Sequence, residues 1–271
     1  MRHSPPSRAE AALLLGAAAL LALAVFGPAL PASAHQHAFA DQRGWAGIPC
    51  ALDVLSNLPF AIAGAWGLAW LRRAVLDSTS RALAALFFAG LLCTAMGSAV
   101  YHWQPQDAGL VWDRLGMVLP FAGLLGLAAH GRVSERAGWA AAGAVLLAGP
   151  LAVGAWALGG NLLPWAVVQL GGMLVVLVLV LVLVLALAAL PRRAGALALN
   201  LGAVIALYGA AKLFEAADHA VFEATGQWLS GHSIKHVLAA CAAWPVLATL
   251  RPRRSVAACG QNGAHAVGAA G

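Results

Sequence analysis

Charged side chains are scarce in this sequence. Only 10% of its 271 residues are Asp, Glu, Lys or Arg, whereas 62% are hydrophobic, and the mean hydropathy is +0.82. Soluble domains carry about 25% charged residues, so this scarcity excludes an ordinary soluble protein and predicts a polytopic membrane protein. The net charge of +6 does not indicate a nucleic-acid partner, because the basic residues lie in short loops and form no basic face.

Cysteines are also few, and their spacing lacks any pairing pattern. The chain has four, with no CxxC motif: Cys50, Cys93, Cys241 and Cys259. This spacing gives no support to a disulfide framework. Cys93 and Cys241 fall inside apolar segments, where we expect them to be small buried thiols.

The amino-terminal residues have the layout of a secretory signal peptide. Arg2 and Arg8 precede an apolar run, and an A-x-A motif ends at Ala34. We therefore predict a signal peptide over residues 1–34 that is cleaved after Ala34, with 35–51 as an extracytoplasmic segment. The alternative is an uncleaved signal anchor, which adds one helix. The signal and the Ala-, Leu- and Arg-rich usage are typical of a bacterial protein.

Long apolar segments fill most of the remaining chain. Each reaches about 18–20 residues or more, enough to cross a hydrocarbon core of about 30 Å. They predict an all-α fold, a seven-helix membrane bundle over 52–250, and a disordered cytoplasmic tail over 251–271. The predicted spans are 52–71, 82–102, 110–130, 138–158, 163–190, 196–217 and 232–250.

Three loops contain no Lys or Arg, and this absence sets the predicted orientation. They read HWQPQDAG, ALGGNLLP and DHAVFEATGQWLSG, and they alternate with loops that carry arginine. Positive charges mark the cytoplasmic side of a membrane protein. The pattern predicts an inner-membrane protein with its mature amino terminus outside and its carboxyl terminus in the cytoplasm. The arginines are Arg72, Arg73, Arg81, Arg132, Arg136, Arg192, Arg193, Arg251, Arg253 and Arg254.

Several polar residues share the outer ends of the predicted spans. Ser98 and His102 are four residues apart, as are His232 and His236, so each pair lies on one helix face. Three imidazoles and one open position are typical of a catalytic zinc site, although the spacing leaves iron, copper or nickel open. Asp113 starts the third span at the same depth and suits proton transfer.

Each of these residues also has a plainer interpretation. Serine is common at helix contacts, and Asp113 can form an ion pair with Arg114 or Lys235. The whole set favours an intramembrane metal-dependent hydrolase that faces the outer leaflet, because polar groups in hydrocarbon are costly. Two alternatives stay open: a receptor or scaffold with a structural metal site, and a protein that uses its histidines for haem or for a proton relay.

Three motifs resemble the alkaline ceramidase family. They are GSAVYH at 97–102, WDRLGM at 112–117 and HSIKH at 232–236. SNLPF at 56–60 and AKLFEAADHAVF at 211–222 resemble further family segments, so the likeness covers about residues 41–250. The family belongs to a seven-span zinc hydrolase superfamily that includes the adiponectin-receptor-like proteins, and the combination of motifs is specific where each alone is not.

The resemblance implies a role for each matching residue. It implies zinc ligation by His102, His232 and His236, acid–base catalysis by Asp113, and assistance from Ser98. The implied reaction is hydrolysis of the amide bond of ceramide or a related N-acyl lipid, which is then the expected partner. We expect no protein or nucleic-acid partner. The predicted orientation matches the ceramidase branch, since the adiponectin-receptor branch runs inverted.

One departure concerns calcium. Animal alkaline ceramidases carry an acid-rich calcium loop before the first span, together with a glutamate that enters it. Here Cys50 occupies the glutamate position, and the loop offers only Asp41 as a carboxylate. Calcium dependence is therefore doubtful. Asp53 matches a family asparagine, and we interpret it as a structural hydrogen-bonding residue.

A second polar group lies around the sixth span. Lys212 and Glu215 are three residues apart and can pair on one helix face. We interpret them, together with Asp218, as residues that surround and orient the histidine ligands, as metal sites generally require.

Overall fold

The computed structural model describes residues 5–169 and 184–250. These residues form helices joined by short loops, and they contain no β-strand beyond two isolated bridges. The all-α prediction is confirmed. The tail 251–271 and the middle of the predicted fifth span lie outside the described residues.

The helices are numbered in chain order, and a further helical segment at 184–189 lies between α7 and α8. They are α1 (Arg8–Phe26), α2 (Ala51–Leu55), α3 (Leu58–Leu71), α4 (Ser78–Trp103), α5 (Asp107–Arg132), α6 (Glu135–Gly159), α7 (Leu163–Gln169), α8 (Leu201–Ala216), α9 (Asp218–Ala224), α10 (Gly231–Cys241) and α11 (Trp244–Thr249).

Five described helical stretches are long and apolar enough to cross a membrane, which indicates an integral membrane protein. They are α1, the α2–α3 stretch Ala51–Leu71, α4, α5 and α6. The last four correspond to the predicted spans 52–71, 82–102, 110–130 and 138–158. A seven-span bundle stays a prediction, because the predicted fifth span is described only over 163–169 and 184–190.

The last two predicted spans differ from the helices observed. The sixth starts later than predicted, at Leu201, because the Asn200 side chain accepts a hydrogen bond from the Ala203 amide and caps the helix there. The seventh is divided into α10 and α11. Pro245 lies in the first turn of α11, where its missing N–H costs no helical hydrogen bond.

The cysteine prediction was wrong in one respect. Cys93 and Cys241 are exposed on the protein surface, and Cys50 is the buried thiol. The apolar environment of a membrane helix includes its lipid-facing side, so an apolar segment does not imply burial within the protein. All three are free thiols.

Glycines allow α4 and α5 to approach closely. A Cβ atom on Gly97 would lie 2.4 Å from the Trp112 carbonyl oxygen, and one on Gly116 would lie 2.7 Å from that of Cys93. Small residues at such interfaces let helix backbones pack directly against each other. This contact places the carboxyl-terminal end of α4, with its polar residues, against the amino-terminal end of α5.

We expect Gly97→Ala to destabilise the protein, because the added methyl group must push the two backbones apart. Overpacking of this kind costs about 1–3 kcal/mol. The measurement is the thermal unfolding midpoint in detergent. Gly143→Ala is the matched control, since Gly143 also lies within a long helix but its Cβ would meet nothing within 4 Å. Equal midpoints for the two variants would contradict the close packing of these helices.

The described arginines of the predicted cytoplasmic loops lie around the carboxyl-terminal end of α5, whereas Arg114 lies near its other end, beside Asp113. Arg132 donates a hydrogen bond to the Leu199 carbonyl, and Arg193 donates one to the His130 carbonyl. Which end faces the cytoplasm stays a prediction.

Helix α1 packs against the same bundle. Glu10 forms an ion pair with Arg136 and accepts a hydrogen bond from Ser134 at the arginine-rich end. At the other end of α1, the Leu30 amide donates to the Asn161 side chain. These contacts give the signal-anchor alternative a physical basis, and cleavage after Ala34 stays a prediction.

Candidate metal centre

Three histidines from two helices meet inside the bundle. His102 lies in the last turn of α4, and His232 and His236 lie on successive turns of α10. All three are buried, and their ligand nitrogens lie within 4.8 Å of one another. The predicted grouping is confirmed.

The spacing of the nitrogens fits one metal ion. The Nε2 atoms of His102 and His232 are 3.2 Å apart. Two nitrogens at about 2.0–2.1 Å from a tetrahedral zinc lie about 3.3–3.4 Å from each other. Burying three imidazoles together is costly unless a partner satisfies their nitrogens, and a metal ion would supply that partner. The residues therefore fit zinc, although the geometry leaves the identity of the metal open.

Local structure fixes the direction of α10. Ser230 caps this helix by accepting a hydrogen bond from the Ser233 amide at 3.0 Å. Asp218 accepts a hydrogen bond from the His232 amide at 2.8 Å with one oxygen, and one from the Ala40 amide at 3.0 Å with the other. Asp218 therefore positions the backbone of His232 rather than its imidazole.

Asp53 performs a related structural role from α2. It is fully buried and accepts hydrogen bonds from the hydroxyls of Ser233 at 2.7 Å and Ser230 at 3.3 Å. The interpretation of Asp53 as a residue that bonds to a neighbouring helix is confirmed. It joins the start of the first predicted span to the start of the last.

Ser56 orients the His236 ring. Its hydroxyl donates to the Asp53 carbonyl at 3.0 Å, so its oxygen is left to accept the Nδ1–H of His236 at 2.7 Å. That arrangement directs the His236 Nε2 lone pair inward, where Ser98 Oγ lies 3.5 Å away. Metal-bound histidines generally donate their other N–H in this way.

We expect Ser56→Ala to weaken metal binding by about 10–100-fold, because the His236 ring loses the partner that fixes its orientation. Competition with a chelator of known affinity measures this change on purified protein. Ser78→Ala, an exposed serine at the arginine-rich end, is the matched control. An unchanged metal affinity in Ser56→Ala would show that Ser56 does not orient the His236 ring.

Two lysines and a glutamate lie beside the histidines. Glu215 pairs with Lys212, as predicted, and with Lys235 at 3.2 Å. The Lys235 amine also lies 3.0 Å from His232 Nε2. That nitrogen has one lone pair, so metal binding there requires the amine to turn towards Glu215. Sequence reasoning did not assign this lysine to the site.

The histidines open onto a cavity of about 190 Å³. The predicted residues Ser98, Asp113, Lys212 and Glu215 line it together with the three histidines. Within the described part of the chain, Asp113 forms no ion pair with Arg114 or Lys235, so the plainer interpretation of Asp113 finds no support.

The amino-terminal segment also covers the cavity, which the sequence did not predict. Gln36 and Phe39 line it, and Tyr101 binds this segment by donating to the Gln36 carbonyl at 3.2 Å. Tyr208 lines the cavity as well. The chain has only two tyrosines, and both line this cavity. The rarity of tyrosine was the one sequence signal that could have pointed to these two residues.

Asp41 has a partner other than calcium. Arg43 donates to both of its carboxylate oxygens, at 2.7 and 2.8 Å. Burial raises the pKa of Asp41, but the hydrogen bonds from Arg43 outweigh burial and leave this pKa below its ordinary value. The carboxylate is therefore ionised at neutral pH, and its stabilising effect is lost only as the pH falls through that lowered pKa. Both oxygens of Asp41 are therefore engaged by Arg43, and the doubt about calcium dependence stays a prediction.

Neither models of known protein families nor curated proteins match this chain. The interpretation of the site therefore depends on its geometry and on the three sequence motifs that contain its residues.

Proposed function

We propose that this protein is an intramembrane zinc-dependent amidase that hydrolyses ceramide or a related N-acyl lipid. The observation that carries this proposal is the convergence of three buried histidines, Ser98 and Asp113 on one cavity at one end of the membrane helices. The resemblance to alkaline ceramidases supports the same reaction.

A metal ion held by the histidines would activate water and polarise the amide carbonyl. The chain's own residues then handle the proton and the developing charge. Asp113 accepts a proton from the attacking water and delivers it to the departing amine as the C–N bond breaks. Ser98 donates a hydrogen bond to the carbonyl oxygen as that oxygen becomes negative. The products are a fatty acid and a free amine.

The size and position of the cavity favour a lipid substrate that stays in the bilayer. Pockets that enclose drug-sized ligands measure about 300–1,000 Å³, whereas this cavity is about 190 Å³. It can enclose a polar head group and the amide, with the acyl chain left among the lipids. The arginine-poor end of the bundle would face the outer leaflet of a bacterial inner membrane.

The test is a panel of lipid amides incubated with detergent-purified protein, with fatty acid and amine release measured by mass spectrometry. Metal content is measured on the same sample, and chelated protein with and without added Zn²⁺ is the control. We expect about one ion per chain and activity that follows the metal. Stoichiometric metal without hydrolysis of any amide would favour a receptor or scaffold, and a Soret band would favour a haem protein.

A further inference from the structure

Arg114 is a buried cation in the cavity wall. It follows Asp113 in α5, is 6% exposed and lines the same cavity. Its guanidinium carbon lies 3.9 Å from the ring centroid of Trp156 and 5.8 Å from that of Trp165. The two indoles contact the face of the guanidinium through cation–π interactions. These contacts do not engage its N–H groups as hydrogen-bond donors.

Those N–H groups lack an acceptor in the described chain. Arg114 forms no ion pair or hydrogen bond among the residues that the structure describes, and its Nη1 is buried without a partner. A buried guanidinium that is neither paired nor hydrogen-bonded is strongly unfavourable. The chain maintains it beside the reacting groups, which points to an acceptor that enters with a ligand.

The charges along the cavity wall favour an anion. Among the described residues that line it, three are cationic, Arg114, Lys212 and Lys235, and two are carboxylates, Asp113 and Glu215. Glu215 is already shared by both lysines. A divalent metal at the histidines adds further positive charge. An anion at Arg114 therefore lowers the electrostatic energy of the loaded site.

We propose that Arg114 binds a carboxylate or phosphate on the head group of the substrate, which makes the substrate an N-acyl lipid with an anionic head. The guanidinium fork matches both groups in bidentate geometry. This inference rests on the proposed amidase function and narrows it: a neutral ceramide would leave Arg114 unpaired. The small cavity favours an anion separated from the amide by only a few atoms, as in an N-acyl amino acid.

The experiment compares substrates that share one acyl chain and differ in head-group charge. N-acylglycine is paired with its methyl ester, and N-acylphosphoethanolamine with N-acylethanolamine, so that the carboxylate and phosphate arms are separate. We expect higher kcat/KM for the anionic member of at least one pair. In Arg114→Met, we expect that value to fall about 10–100-fold and the value for the neutral member to fall by much less.

Two further variants define the contribution of the guanidinium. Arg114→Lys keeps the charge but loses the planar fork, so we expect an intermediate value for the anionic substrate. Arg73→Met removes an exposed arginine from a loop and should change neither member of a pair. Equal kcat/KM for the members of both pairs, or equal losses on anionic and neutral substrates in Arg114→Met, would overturn the assignment. Arg114→Lys provides the same comparison if the methionine variant fails to fold.

Binding separates this inference from the proposed function. N-acylglycine and its methyl ester are titrated into Asp113→Asn protein, with and without Arg114→Met, and Kd is measured calorimetrically. We expect the carboxylate to bind more tightly than the ester only when Arg114 is present. If that difference is found but no amide is hydrolysed by the unmodified protein, the anion site stands and the amidase function is wrong. If the unmodified protein hydrolyses an amide but the two Kd values do not differ, the amidase function stands and the anion site is wrong.

Discussion

His236→Ala is expected to remove the bound metal and to abolish amide hydrolysis. His236 is one of three ligand residues whose nitrogens lie within 4.8 Å, and a catalytic zinc site with two remaining protein ligands does not retain its ion tightly. Metal content should fall from about one ion per chain to almost none. The measurements are elemental analysis and the hydrolysis assay on the same preparation.

His130→Ala is the matched control for this variant. His130 is also buried on a membrane helix, but it lies at the arginine-rich end, where its Nε2 is 3.4 Å from Asp77. We expect it to keep metal and activity. Full metal content and full activity in His236→Ala would show that the histidine triad is not the reactive centre.

Asp113→Asn is expected to keep the metal and the fold but to lose about 10²–10⁴-fold in kcat. Asparagine has nearly the same shape as aspartate, but it cannot accept a proton from water and return it to an amine. Asp113 forms no ion pair within the described chain, so its neutralisation leaves no cation newly unpaired. The measurements are kcat, metal content and the unfolding midpoint.

Glu223→Gln provides the comparison at an exposed carboxylate. Glu223 lies in α9, is exposed, and forms no ion pair within the described chain. Because it does not line the cavity, its neutralisation should leave kcat nearly unchanged. Wild-type turnover in Asp113→Asn would exclude a proton-transfer role, and loss of its metal would indicate that Asp113 binds or supports the ion instead.

The sequence predicted those parts of the molecule that depend on local patterns. The spans 82–102, 110–130 and 138–158 correspond to α4, α5 and α6 because each apolar run is long and bounded by polar turns. The histidine grouping was predictable because four-residue spacing and alternating loop charge place His102 and His236 at one end. The start of α8 and the end of α10 were not predictable, because apolar residues continue across both points. These helix boundaries depend on a single capping residue and a single proline.

The cavity wall depended on contacts that no local pattern encodes. The segment around Gln36 has no periodicity, and its position is set by Tyr101 and Asp107, more than 60 residues away. Arg114 is likewise adjacent to a predicted residue, yet its environment comes from Trp156 and Trp165 in other helices. Sequence spacing along one helix carries no information about such partners.

The long-range contacts around the site also determine when the site can form during synthesis of the chain. Asp53 and Ser56 bond to Ser233 and His236 across 180 residues of chain, and Ala40 bonds to Asp218 across 178. The early part of the chain enters the membrane while these partners are still unsynthesised. Until α10 is inserted, only one of the three histidines of the triad is present, so an ion could be held by the full triad only after that insertion.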